Sequence, residues 1–479
     1  MRIDTLHLQN FRGYIDRDFT LHPQFNLVVG ENGAGKTSFL EAAAVAIGSW
    51  LLGFRGHDAR NIRERDVRKV LDFVEKRYRE LPQYPVRVKA SGFVHIARAE
   101  RASEGGEIAY SARTGPDKPN PREQAVSWER SVEASGGRTT RQGASQLKKY
   151  AELMATAVLK QEPRVLPLIR YFGAGRLWES VRDTEGKALS KHKGKQPAEL
   201  AASVDELDKA LEDFSRLSEP FYGYRMSVDK RCNPDDLIRW MAVERRNEID
   251  EEESSPALRL VYDAIEAMLP ELASARYSTK LHTLVLRYKN NERHTFSELS
   301  DGYRNVVAIA ADLAIKAVML NPQLAEKALL MTPGVVLIDE LDLHLHPIWQ
   351  RRIIEDLRRT FPLVQFICTT HSPFLIQSLR SGEELIVLDG QPTADLGHMP
   401  VEEIARGIMG VSNTEVSEEY AGMKQAARYY LETLEKAAMA PAEKQEDFKR
   451  QLAEAIAPYA HNPAYQAFLE MKRAAKLGE

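Results

Sequence analysis

Gly30-Glu31-Asn32-Gly33-Ala34-Gly35-Lys36-Thr37 fills the pattern G-x-x-x-x-G-K-[ST] at every fixed position. The run before it, Asn26-Leu27-Val28-Val29, is mostly apolar, as in a strand buried on both faces. The run after it, from Ser38 to about Leu52, is an alanine-rich helix. Between a buried strand and a helix, the glycines let backbone N–H groups converge on phosphates. Lys36 then neutralises the β/γ oxygens, and the Thr37 hydroxyl reaches Mg²⁺. The helix N-terminus adds its positive dipole end. The stretch predicts a nucleoside triphosphate site in an α/β fold, with Asn32, Gly33, Gly35, Lys36, Thr37 and Ser38 as binding residues.

Downstream motifs fit the same chemistry. Val335-Val336-Leu337-Ile338-Asp339-Glu340 reads as a buried strand delivering two acids. Asp339 would join Thr37 in the Mg²⁺ shell, and Glu340 would polarise the attacking water. Glu298-Leu299-Ser300-Asp301-Gly302-Tyr303-Arg304 resembles an ABC-type signature, in which Ser300 and Gly302 open a helix aimed at the nucleotide of a second subunit. Thr369-Thr370-His371-Ser372-Pro373 follows another strand, placing His371 to sense the γ-phosphate.

Composition bounds the rest. The chain has 479 residues, 43% hydrophobic and 28% charged, which suits a folded protein of two or three units. A net charge of −3 excludes a globally basic, DNA-coating protein while allowing a local basic groove. Two widely spaced cysteines, Cys232 and Cys368, argue against a disulfide scaffold and fit a reducing cytoplasm. No secretory leader is visible, and the apolar stretches 39–54 and 306–320 carry charges and are short for a bilayer, so no membrane partner is expected.

The expected organisation is an N-terminal head part over 1–180, a helical insertion or lid over 181–280, a C-terminal head part over 281–399 and a helical tail over 400–479. Arg55 to about Glu80 reads as a charged helix, Tyr84 to Ala97 as a strand, and 101–145 as a long loop rich in Gly, Ser, Pro and Arg. In the tail, Tyr429, Tyr430, Leu434, Phe448, Leu452, Ile456, Tyr459, Tyr465, Phe468 and Leu469 recur at helical spacings. They form a stripe that must be buried on the chain's own core or on a partner.

Together, Asn10-Phe11-Arg12-Gly13, the glycine loop, Leu299 to Tyr303, Asp339 to Pro347 and Thr370 to Pro373 resemble the AAA-type, ABC-like ATPases of the RecF/SMC/OLD group. The resemblance implies an ABC-type ATPase head, ATP sandwiched head-to-tail between two copies, and contact between Arg12 and the nucleotide. Two departures stand out. Tyr171-Phe172-Gly173-Ala174-Gly175-Arg176 occupies the place of the Q-loop glutamine, and Asp301 stands where transport ATPases have glycine. Long heptads, TOPRIM acids and HNH histidines are not found.

This profile is similar to the ATPase subunits of Septu antiphage systems, also found with some retrons, whose companion is a separately encoded HNH nuclease (PtuB-like). The alternative is a RecF-like repair ATPase that binds DNA directly, leaving DNA or RNA as a possible partner. Its basic groove would come from Arg55, Arg60, Arg63, Arg65, Arg68 and Lys69, or from Arg138, Arg141, Lys148 and Lys149. Interleaved Asp58, Glu64 and Asp66 favour a solvated face for the first group.

Overall fold

The short apolar run Phe25–Val29 has every side chain buried, the mark of a strand covered on both faces. In the computed structural model it lies inside a parallel sheet, and the residues described are 1–74, 77–95, 123–177, 221–388, 401, 404, 425–434, 450, 469 and 471–472. The chain divides into two units, Met1–Met399 and Pro400–Glu479.

The strands of the first unit are β1 (Arg2–Phe11), β2 (Tyr14–Thr20), β3 (Phe25–Val29), β4 (Lys69–Val74), β5 (Arg77–Pro82), β6 (Val86–His95) and β7 (Glu123–Val132). They continue with β8 (Leu168–Phe172), β9 (Leu272–Ser278), β10 (Thr283–Tyr288), β11 (Arg293–Thr295), β12 (Gly334–Ile338), β13 (Val364–Thr369) and β14 (Leu385–Val387). The central sheet runs β14-β3-β13-β12-β8, all parallel. A second sheet, β2-β1-β6-β7, is antiparallel, as are β11-β10-β9 and the hairpin β4-β5.

The helix Lys36–Gly48 packs against strands of both larger sheets. Its alanines, Ala42, Ala43, Ala44 and Ala46, are small enough for close approach on both sides. The Trp128 indole N–H donates to the Ala46 carbonyl at 2.9 Å, pinning β7 to this helix. The long helix Asp301–Leu320 is likewise buried over most of its length, including Asp312 and Lys316. This is the expected α/β P-loop ATPase head of ABC type.

Two expectations over 55–145 are corrected. The charged helix from Arg55 to Glu80 is instead a single 3-10 turn at Glu64–Asp66 followed by the β4-β5 hairpin. Cross-strand pairing wins there, with the Phe73 and Tyr78 rings 5.0 Å apart, over the helix propensity of the intervening Lys, Arg and Glu. Of the presumed loop 101–145, residues 101–122 lie outside the described residues. Residues 123–132 form β7, paired with β6 from Val86↔Val132 to His95↔Glu123. Val126, Trp128, Arg130 and Val132 alternate into the core, a period of two that the polar composition hides.

Of the segment expected as a lid, 181–220 lies outside the described residues, as does Trp178. The described part packs into the head. The Tyr224 hydroxyl accepts from Trp50 Nε1 at 2.9 Å and donates to the Pro167 carbonyl at 3.0 Å. Arg170 donates to the carbonyls of Met226, Asp229 and Arg231 and pairs with Asp312 at 2.6 Å. Helices Pro234–Asp250 and Pro256–Met268 follow, the second burying Leu258, Val261, Ala264 and Ile265.

In the second unit, 425–434 is helical, with Tyr430, Thr433 and Leu434 buried and Tyr429 exposed. Leu469 is also buried. The rest of the stripe, Phe448 to Phe468, lies outside the described residues. Among the described residues no helix is long and apolar enough to cross a membrane.

Candidate nucleotide site

The glycine loop leaves β3 at Gly30 and enters its helix at Lys36. Gly33 and Gly35 adopt φ of 91° and 101°, which only glycine takes without strain. A β-carbon on Gly35 would also lie 3.1 Å from the Tyr14 hydroxyl, which donates to the Gly35 carbonyl. Glu31, Asn32 and Gly33 are exposed at the loop tip, and Ser38 follows Thr37 in the first helical turn.

Lys36 Nζ folds back to donate to the carbonyls of Gly30 at 2.7 Å and Glu31 at 2.9 Å. Those oxygens hold the ammonium over the loop, where phosphate oxygens would be its partners. Thr37 Oγ1 donates to Asp339 Oδ2 at 3.1 Å. Asp339 sits at the end of β12, 4% exposed, and accepts a second hydrogen bond from Thr369 Oγ1 at 2.7 Å. The structure thus brings together Lys36, Thr37 and Asp339, which are 302 residues apart at the Thr37–Asp339 contact. An all-oxygen set of a hydroxyl beside a buried carboxylate suits Mg²⁺.

Glu340 adopts φ 50°, a left-handed conformation that costs a side-chain-bearing residue about 1–2 kcal/mol. Three hydrogen bonds hold it. Its N–H donates to Thr369 Oγ1 at 2.8 Å, and its carbonyl accepts from the Leu343 N–H at 3.1 Å and from Arg176 Nη2 at 3.2 Å. Among the described residues its carboxylate makes no hydrogen bond or ion pair. His371 is exposed, and its N–H donates to Asp342 Oδ1, which also accepts from Thr370 Oγ1 at 2.6 Å.

Arg176, at the vacant Q-loop position, was not singled out as a site residue by the sequence motifs. Its guanidinium, 2% exposed, donates to the carbonyls of Gly173 at 2.9 Å and Asp339 at 2.8 Å, and to Asn305 Oδ1 at 2.5 Å. Burial lowers its pKa to about 10, so it stays charged at neutral pH. Asn305 lies on the signature helix and donates in turn to the Leu343 carbonyl at 3.1 Å. One cation therefore joins the end of β8, both acidic positions and the signature helix.

Ser300 is exposed at the start of that helix and makes no capping hydrogen bond through its side chain. Gly302 is buried, and a β-carbon there would stand 2.5 Å from the His344 carbonyl. In this chain Gly302 is needed for close approach of 341–345 to the signature helix. Tyr303 extends the contact, its ring edge-on to Trp349 at 4.1 Å.

Arg12 stands in the turn between β1 and β2, its side chain 21% exposed. Its guanidinium donates to Asp66 Oδ1 at 2.9 and 2.6 Å and lies 3.8 Å from Glu41. Glu41, fully buried on the glycine-loop helix, is also paired with Arg60 and Lys230. Burial lowers the Arg60 pKa, and burial with the nearby Glu41 raises that of Tyr171 well above its usual value. Arg12 thus joins an ion network that braces this helix. Among the described residues no His, Cys, Asp and Glu cluster suited to a metal occurs, and His346 accepts from the Ile348 N–H.

The AAA domain model matches residues 5–269, and a second, described as "AAA domain, putative AbiEii toxin, Type IV TA system", matches 274–377. The chain is 26% identical over 416 residues to the retron Ec83 probable ATPase of Escherichia coli, covering 82% of this chain and 72% of that one. It is 40% identical over 101 residues to the Septu protein PtuA of Bacillus mycoides, covering 21% of this chain and 13% of that one. Among solved structures, the SMC head domain from Thermotoga maritima aligns with a TM-score of 0.37 at 15% identity, over 83% of this chain and 99% of that one. With its glycine loop, buried acid and matched domain model, the chain belongs to the AAA domain family and is related to a retron probable ATPase and to the Septu protein PtuA.

Proposed function

We propose that this chain hydrolyses ATP at a site completed by the signature segment of a second copy, and that the cycle controls a separately encoded nuclease in antiphage defence. The observation that carries the ATPase reading is the Thr37–Asp339–Thr369 chain of hydrogen bonds beside an unengaged Glu340 carboxylate. The relation to a retron ATPase over most of the chain supports the defence role.

In this reading Lys36 exchanges the Gly30 and Glu31 carbonyls for β/γ-phosphate oxygens. Thr37 and Asp339 would hold Mg²⁺, whose chemistry is to neutralise charge developing on the transferred phosphoryl group. Glu340 orients the attacking water and accepts its proton. His371 reports the state of the γ-phosphate. Ser300 and Gly302 of one copy complete the site of the other.

The test is size measurement with and without ATP, together with steady-state hydrolysis. Glu340→Gln should bind ATP, hydrolyse it at under about 1% of the wild-type rate and accumulate as an ATP-bound dimer. Lys36→Ala should lose ATP binding. Wild-type hydrolysis by Ser300→Arg would sink the shared site. For the nuclease, purified chain alone should leave DNA intact with Mg²⁺ or Mn²⁺, and robust cleavage surviving Lys36→Ala would refute a separate effector.

A further inference from the structure

The outer face of the β9-β10-β11 sheet carries a charge pattern that stability does not explain. Its inner face buries Leu272, Ala275, Leu284 and Leu286. On the outer face Arg287 lies directly opposite Arg293, and Val285 lies opposite both Arg276 and Thr295. The three arginines are exposed, and among the described residues none makes a side-chain hydrogen bond or ion pair. Like charges directly opposed on neighbouring strands destabilise a sheet, and the usual solvent face mixes signs.

Carboxylates are missing where they would relieve this. From 272 to 291 the chain has Arg276, Lys280, Arg287 and Lys289 and not one Asp or Glu. The nearest acids are engaged elsewhere, Glu266 by the Ala275 N–H at 2.9 Å, Glu271 by Tyr303 and Arg352 at 3.1 Å, Glu292 by Asn290 Nδ2 at 2.8 Å and Glu298 by Thr295 at 2.7 Å. Hydroxyls fill the space instead, with Ser278 opposite Thr283. The same face forms a shallow depression of about 420 Å³ whose lining includes Arg276, Ser278, Arg293 and Thr295.

We propose that this sheet face binds the phosphodiester backbone of a nucleic acid. Forked guanidinium donors interleaved with hydroxyls are the groups that contact phosphate oxygens. The surface is open and spread over three strands, so it suits a polymer rather than a single phosphate. No residue of the nucleotide loop lines it, and the reading goes beyond the ATPase proposal without depending on it. β11 leads directly through the Phe296–Glu298 turn to Ser300, so a bound strand lies next to the signature segment in the chain.

The test is fluorescence anisotropy of the full chain with 30-nucleotide single-stranded DNA and RNA of mixed sequence, from 50 to 200 mM salt. The triple variant Arg276→Gln, Arg287→Gln, Arg293→Gln should bind at least ten-fold more weakly. Its salt slope should fall by about 2, from three contacts at about 0.7 each on a single strand. Its unfolding midpoint should not drop, because a like-charge pair is removed. The control Lys160→Gln, Lys327→Gln, two exposed cations outside this sheet, should bind as wild type. Binding of DNA alone, RNA alone or both supports a phosphodiester ligand. No binding by wild type at 50 mM salt, or an unchanged slope in the triple variant, overturns the proposal. So does tighter binding of polyglutamate than of either nucleic acid, which would assign the face to an acidic protein.

Discussion

Replacing Arg176 by lysine keeps a buried positive charge while removing the planar fork. The guanidinium serves four acceptors, the carbonyls of Gly173, Asp339 and Glu340 and the Asn305 side chain. An ammonium at the end of a lysine stem reaches about two of them. The Gly173 and Glu340 carbonyls keep the backbone N–H groups of Arg176 and Leu343, so an acceptor left bare is the Asp339 carbonyl or Asn305 Oδ1, at about 1–3 kcal/mol each. The kinetic effect is separate. Glu340 is held at φ 50° by Thr369 on its N–H and by the Leu343 N–H and Arg176 on its carbonyl. With one clamp gone, the about 1–2 kcal/mol of left-handed strain is free to relax and shift the carboxylate. A displacement near 1 Å costs about 10²-fold in rate. Lys36 and Thr37 are untouched, so ATP affinity should stay within about three-fold while kcat falls about 30- to 100-fold. Steady-state hydrolysis with equilibrium nucleotide binding measures both. Tyr224→Phe supplies a comparison of similar destabilisation away from the site, with no expected kcat change. Equal kcat losses in the two variants, or a parallel loss of affinity in Arg176→Lys, would refute the positioning role.

Tyr224→Phe should itself lower stability by about 1–3 kcal/mol, read by denaturant unfolding, since it strands Trp50 Nε1 and the Pro167 carbonyl. Gly302→Ala should force the His344 carbonyl away from a β-carbon otherwise 2.5 Å distant. The expected cost is about 1–3 kcal/mol, with ATP-dependent pairing of copies weakened more than ATP binding, as checked by size measurement against ATP titration. Truncation after Met423 should leave ATP binding intact while removing a partner or higher oligomers; aggregation or loss of ATP binding would make the tail part of the fold.

The nucleotide loop and its strand were legible because the whole signal is local, eight residues between an apolar strand and a helix. Asp339 was legible for the same reason, an acid ending an apolar run. Arg176 was not. Its partners Asn305, Asp339 and Glu340 lie 129, 163 and 164 residues away, and nothing near it in the chain announces them. Arg12 and Glu41 show the same blindness, since their network gathers Arg60, Asp66 and Lys230 from distant segments. The β4-β5 hairpin was misread because Lys, Arg and Glu favour a helix locally, whereas the Phe73–Tyr78 pairing that decides it is a cross-strand property. β7 had a readable period of two in Val126, Trp128, Arg130 and Val132, and its polar neighbours masked it.

The order β14-β3-β13-β12-β8 has a consequence for synthesis on the ribosome. β3, the strand that feeds the glycine loop, takes both of its sheet neighbours from β13 and β14, near the far end of the first unit. At about 5–20 residues per second, β14 emerges roughly 20–70 s after β3. Throughout that interval the nascent chain holds a strand with both edges open and an alanine-rich helix without its central sheet. The head cannot be completed segment by segment as it is made, and its nucleotide loop takes shape only when the last strand arrives.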